Sequence, residues 1–133
     1  MNVRRFGVSL EEEILKQLDS LVKDSKFPNR SQAIRYLIKS SLVEEKIDKN
    51  KIVAGAIVIV YDHHKRELNN NLMNVQHDYH ELILSMQHVH LEHDLCLETI
   101  AVKGNADKLR KLADAIIGTK GIKHGRFVMT DIE

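Results

Sequence analysis

Residues 88–96 read His88-Val89-His90-Leu91-Glu92-His93-Asp94-Leu95-Cys96. In an extended strand, residues two apart share a face, so His88 and His90 present both imidazoles to one side. Polar Glu92-His93-Asp94 reads as a tight connection, after which Cys96 starts a strand folded back beside the first. Two imidazole nitrogens and one thiolate then converge, the ligand types that hold late first-row metals such as Zn, Ni and Cu. Three ligands leave one coordination position open, and His77 is the upstream candidate for it. A single strand histidine would read as a half-exposed polar residue, and a lone Cys as a small core hydrophobe. A His-x-His and the chain's one Cys in a single hairpin make metal binding the better reading.

The chain has 133 residues, 43% hydrophobic and 29% charged. That fits one ordinary globular domain or two small ones. No run of 18 apolar residues occurs, so no membrane span is expected. The first ten residues lack the apolar core of a signal peptide. One Cys cannot form an internal disulfide, which suits a reducing cytoplasm. The net charge of +1 says little, but its distribution divides the chain. Residues 1–43 carry net +3, whereas all eight histidines and the Cys lie after residue 60.

Residues 3–10 alternate, with Phe6, Val8 and Leu10 on one side and Arg5, Gly7 and Ser9 on the other, a short strand with one polar face. Ser9 with Glu12 fits a capping box opening a first helix. Its apolar stripe is Ile14, Leu15, Leu18, Leu21 and Val22. Pro28 breaks that helix. Asn29 caps a second, with a stripe of Ile34, Leu37, Ile38 and Leu42. One strand and two helices bury too little core alone, so an obligate dimer is expected, the lone strand pairing with its copy. This front segment, with Leu10-Glu11-Glu12-Glu13-Ile14-Leu15 and Asn29-Arg30-Ser31-Gln32-Ala33-Ile34-Arg35, resembles a ribbon-helix-helix DNA-binding domain. The resemblance implies that two chains pair their strands into a ribbon that enters the major groove. Arg5, Gly7 and Ser9 then face the bases, although Gly7 offers no side chain to read them. Asn29, Arg30 and Ser31, with Arg35 on the same helix, then meet the phosphate backbone, where free N–H groups and the helix dipole favour an anion.

Residues 46–51 read as a linker between domains 1–45 and 52–133. Residues 52–61 form a β-branched run expected to be a strand buried on both faces. A helix follows from about 65 to 79, with Leu68, Leu72, Val75 and Tyr79 inward. Strands are expected at 82–91 and 95–103, a turn at Gly104-Asn105, a helix at 106–118 closed by Gly118, and a strand at 122–130. The order β-α-β-β-α-β is the ferredoxin-like split unit, so the fold class is α+β. Helices would cover one sheet face, and the other stays open unless a second subunit packs on it.

A ribbon-helix-helix followed by a ferredoxin-like (ACT-like) domain carrying Gln76-His77, His88-Val89-His90 and Cys96-Leu97-Glu98 closely resembles the nickel-responsive transcriptional regulator family, NikR. The resemblance implies one Ni(II) per chain, held by His88, His90 and Cys96 of one subunit and His77 of a neighbour. It implies a square-planar site, a cytoplasmic homotetramer built as a dimer of dimers, and a double-stranded DNA operator as partner. Repression of nickel uptake is the expected output. Gln76 and Glu98 are candidates to accept the other N–H of the metal-bound histidines. Lys65 and Arg66 match basic residues that touch the DNA backbone in the family.

Other readings are a regulator responding to Cu, Co or Zn, one responding to a small molecule in the ACT-like domain, an antitoxin-like regulator, and a metal enzyme. No carboxylate or His outside the ligand set stands out as a general base, so no catalysis is expected. Some relatives place two carboxylates on the second helix of the DNA-binding domain, forming a further cation site. Gln32 and Tyr36 occupy those positions here. Weaker potassium dependence than in those relatives, or none, is therefore expected when DNA binding is titrated in potassium and in a bulky organic cation at equal ionic strength. A large potassium-specific gain would refute this.

Overall fold

Alternation along the strands decides which side chains face the helices, and it starts at β1 (Ile52–Asp62). The computed structural model describes residues 2–132, with β1 central in a four-stranded antiparallel sheet of order β2-β3-β1-β4. Val53, Ile57, Ile59 and Tyr61 are buried, whereas the intervening Ala54, Ala56, Val58 and Val60 are half-exposed. The β-branched run was expected to be buried on both faces. In the single chain only one face is covered, because both helices pack on that side.

The remaining sheet elements are α3 (Arg66–Asp78), a 3₁₀ turn (His80–Leu82), β2 (Ile83–His90), β3 (Leu95–Asn105), α4 (Ala106–Ile117) and β4 (Ile122–Thr130). The order is the expected split unit. α3 turns Leu68 and Leu72 inward, and α4 turns Ala106, Leu109, Leu112, Ala113 and Ile116 inward. These meet Ile57, Ile59, Ile100 and Val102 in one core. Gly104-Asn105, expected as a turn, instead extends β3, because Gly104 pairs with Val53 and Asn105 with Ile52. Gly118 ends α4 as expected but keeps right-handed geometry (φ −78°), and the left-handed residue is Gly121 (φ 103°).

The chain divides into two compact units at Leu42/Val43. The front unit holds α1 (Glu12–Asp24) and the first turns of α2 (Arg30–Asp48). Asn29 caps α2 as expected, its Oδ1 accepting from the Gln32 N–H at 2.9 Å. Ser9 does not cap α1. The chain stays extended through Glu11 (φ −59°, ψ 149°), which takes the N-cap position without a side-chain bond. Val8, Leu10 and Ile14 line an apolar groove of about 390 Å³ with Leu18, Leu21 and Ile34, and the extended backbone carries Val8 and Leu10 to it. Among the described residues, 2–10 form no ladder, so the expected strand is extended chain here without a strand partner. Phe6 is 74% exposed and Val8 56%. Leu37, Ile38 and Leu42 of the α2 stripe are likewise exposed.

α2 continues to Asp48, across the start of the expected linker. Its last turns belong to the rear unit, where Ile47 joins the core and Lys46 Nζ meets Asp131 Oδ1 at 2.7 Å. Asn50, in left-handed geometry (φ 53°), then stops the helix. Its Oδ1 accepts from the Asp107 N–H at 2.8 Å, satisfying a first-turn donor of α4 that has no partner within its own helix. Asn105 Nδ2 donates to the Asn50 carbonyl at 3.0 Å. Asn50→Ala removes that cap and strains the turn, and should cost roughly 1–2 kcal/mol in urea unfolding. Asn50→Asp, which keeps the acceptor, should cost less.

Candidate metal centre

Register brings the candidate ligands to one face at one end of the sheet. In the β2–β3 ladder His90 pairs with Cys96 and His88 with Glu98. In the β1–β3 ladder Tyr61 pairs with Cys96. All five side chains share the helix-covered face, as expected for His88, His90 and Cys96. Leu91 to Asp94 form the connection, closed by Leu91 N–H donating to the Leu95 carbonyl at 2.9 Å and by Leu95 N–H donating to the Glu92 carbonyl at 3.1 Å. His93 sits there exposed, with φ 55°.

Cys96 is fully buried while both histidines are exposed. The difference follows from strand position. β3 is flanked by β1 and β2, whereas β2 is the sheet's edge. The Cys96 thiol donates to the Tyr61 carbonyl at 3.3 Å, and burial pushes its pKa up. The His88 and His90 rings stand edge-on, with centroids 5.4 Å apart. Among the described residues, no three His, Cys, Asp or Glu side chains of one chain close around a point that could hold a metal ion.

Behind the histidines lies a polar network. Glu98 is the one polar or charged residue buried in the core among the described residues. Tyr61 Oη donates to its Oε2 at 3.0 Å, and Gln76 Nε2 donates to Oε1 at 3.3 Å. Gln76 and Glu98, named together from the sequence, thus meet across α3 and β3. Their contact is with each other rather than with a histidine. Tyr61 is the partner that sequence reading missed: its Oη also lies 3.5 Å from His88 Nδ1. It ended an apolar run and carried no signal except its own hydroxyl, a group that seeks a partner when buried. Burial, and next the charge of Glu98, hold its phenol well above the usual pKa.

His77 is separate. It follows Gln76 on α3, and the helical step of about 100° between neighbours turns it away from the sheet. It is exposed, stacks on His80 at 6.1 Å and does not line the cleft formed by Tyr61, His63, Gln76, His88, His90 and Glu98. His63 is half-buried with its ring 4.6 Å from that of His90. Its Nδ1 is without a hydrogen-bond partner, the one such buried side-chain atom among the described residues. The exposed His64 Nε2 lies 2.9 Å from Asp94 Oδ1, tying the β1–α3 turn to the β2–β3 connection. His124 lies on the sheet's open face, opposite Val60.

The candidate DNA residues Arg5, Gly7, Ser9, Asn29, Arg30, Ser31, Arg35, Lys65 and Arg66 are all exposed. Two are already engaged. Asn29 is the helix cap, and Arg30 makes a two-bond fork with Asp19, at 2.8 and 2.9 Å. That fork holds the Asp19 carboxyl below its usual pKa, so the pair persists until pH falls through that lowered value. Lys65 and Arg66 stand at the start of α3 beside Lys120.

Residues 54–130 match a family described as the NikR C terminal nickel binding domain, and residues 4–45 match the ribbon-helix-helix proteins of the copG family. Proteins named as nickel-responsive regulators align along nearly the whole chain. That of Syntrophus aciditrophicus is 46% identical, covering 98% of this chain and 96% of its own. That of Chlorobaculum parvum is 50% identical, covering 90% of each. An ACT domain from a GTP pyrophosphokinase of Chlorobium tepidum superposes with a TM-score of 0.50 at 18% identity, over 59% of this chain and all of its own. An uncharacterized protein from Thermotoga maritima superposes with a TM-score of 0.54 at 15% identity, over 59% of this chain and 98% of its own. The likeness to the ACT domain shows an ACT-like fold for the rear part of the chain. Among the described residues no helix is long and apolar enough to cross a membrane.

Glu98→Ala would leave the Tyr61 hydroxyl and the Gln76 amide facing a void. It should cost about 1–3 kcal/mol of stability in denaturant unfolding. Glu98→Gln, which retains an acceptor, should cost less.

Proposed function

We propose a mechanism from the premise that this chain belongs to the nickel-responsive regulator family. The chain is a nickel-responsive DNA-binding transcriptional regulator. Its effector is one Ni(II) per chain, held by His88, His90 and Cys96 of one subunit and by His77 of a neighbour. The observation that carries this assignment is the pairing of His90 with Cys96, with His88 two residues back on the same face. Two imidazoles and a thiol are a fitting donor set for Ni(II). The outward position of His77 supports its service to another chain, as does the absence of a closed cluster within one chain among the described residues.

His88, His90 and Cys96 of one subunit with His77 of the next would hold Ni(II), which would supply a cross-link between β2 and β3 of one chain and α3 of the other. The chain's own residues do the rest. Cys96 would bind as the thiolate, its proton passing to solvent and its bond to the Tyr61 carbonyl being lost. Glu98 and Gln76 keep α3 seated on the sheet beside the ligands. The half-exposed sheet face of Ala54, Ala56, Val58 and Val60 supports a homotetramer, and the apolar groove of the front unit supports pairing of two front units within it. Arg5 and Ser9 then read bases from the paired strands, with Gly7 admitting close approach. Asn29, Arg30, Ser31 and Arg35 hold phosphates, as do Lys65 and Arg66 of the rear unit. The protein acts in the cytoplasm, as a repressor of nickel uptake and not as an enzyme. Metal and DNA affinities are linked, so each must strengthen the other equally.

Absorption titration of the metal-free protein with Ni(II), with native mass recorded alongside, tests this. A thiolate-to-nickel band saturating at one Ni per chain, on a tetramer, is expected. Cys96→Ala should abolish the band and the nickel response of DNA binding. A Cys96→Ala protein that responds at full strength would overturn the ligand set.

A further inference from the structure

We infer that Tyr61 is a positioning residue that fixes the tautomer of His88, holding its proton on Nδ1 and leaving the Nε2 lone pair free; its purpose, though not its operation, rests on the nickel-centre reading.

The argument is one of donors and acceptors. A carboxylate has only acceptors and a phenol has one proton. Tyr61 Oη lies 3.0 Å from Glu98 Oε2, and Glu98 is buried. The phenol proton is committed to that carboxylate, so towards His88 the phenol oxygen offers only lone pairs. His88 Nδ1 faces that oxygen at 3.5 Å. A bare Nδ1 there would set lone pair against lone pair. A protonated Nδ1 makes the contact attractive, and in a neutral ring Nε2 is then the unprotonated nitrogen. The hydrogen bond at one ring nitrogen decides the state of the other. A free imidazole side chain prefers its proton on Nε2, so this bias has to come from the surroundings.

Three further observations keep the arrangement in place. Gln76 donates to the second oxygen of Glu98, so the carboxylate cannot turn away from the phenol without losing that bond. The Tyr61 and His88 rings meet edge to face, with centroids 6.1 Å apart at 68°, which restrains the imidazole plane. The Tyr61 carbonyl accepts from the Cys96 thiol. One residue of β1 thus touches a group on each of the other two strands that carry the candidate ligands. His88 itself is exposed, and among the described residues its hydrogen-bonding contact is this one with Tyr61.

The test reads ring nitrogens in the metal-free, full-length protein. Long-range proton–nitrogen correlation spectra of ¹⁵N-labelled chain would be recorded above the ordinary histidine pKa of about 6.5. His88 should carry its proton on Nδ1 in the natural protein and mainly on Nε2 in Tyr61→Phe. A natural protein with the proton on Nε2, or a Tyr61→Phe spectrum with His88 unchanged, overturns the inference. The natural protein alone is decisive should the variant fold poorly. A parallel Ni(II) titration separates this from the metal assignment. Tyr61→Phe should weaken nickel binding by about 10- to 100-fold while keeping the thiolate band, in line with the loss of a group that orients a ligand. An unweakened affinity overturns the positioning role. A natural protein that binds no nickel, yet shows the Nδ1 proton, sinks the metal reading and leaves the tautomer control intact.

Discussion

The register of β3 between β1 and β2 is the constraint on which the site depends. Cys96 stands opposite both His90 and Tyr61, and Glu98 stands opposite His88. Because strand side chains alternate, a slip of one residue would send Cys96, Glu98, Ile100 and Val102 to the open face together. Cys96, Ile100 and Val102 lie in the hydrophobic core. The apolar packing that drives folding therefore also aligns the candidate ligands, and the chemistry needs no separate device to bring them together.

A second dependence runs through Glu98. A carboxylate without partners would not be tolerated in that core. Its two oxygens are satisfied only when Gln76 is within reach on α3 and Tyr61 has reached the end of β1. Seating of α3 and completion of the sheet are thus coupled at the spot where the candidate ligands gather. The same seating directs His77 outward, since it follows Gln76 around the helix. A buried charge and an exposed imidazole are two results of one helix orientation.

What could be read from the sequence was what local periodicity controls. His88 and His90 share a face because two residues apart is one strand period, and Cys96 joins them because the connection between the strands is short. The Asn29 cap was legible because its acceptor reaches only three residues ahead. Long-range pairing was not legible. Tyr61 meets Glu98 across 37 residues, and nothing in an apolar run marks its last member as a hydrogen-bond donor. The fork between Arg30 and Asp19 was not legible either, since the two lie eleven residues apart on different helices. Gly104-Asn105 had the composition of a turn, yet the length of β1 decides where β3 ends. Ser9 had the residue type of a cap, yet the chain stays extended through Glu11, which takes the N-cap position instead.

The sheet order has a mechanical consequence. Cys96 is on an interior strand, clamped on both sides, and His88 and His90 are on the edge strand, bonded on one side only. The candidate ligand set resembles a vice with one fixed jaw and one compliant jaw. A distortion imposed on it is absorbed by β2, whose outer edge carries no partner strand within the chain, while Cys96 stays where the core holds it. Ions that favour different bond lengths or angles would then leave β2 in different positions. The edge strand converts coordination preference into displacement.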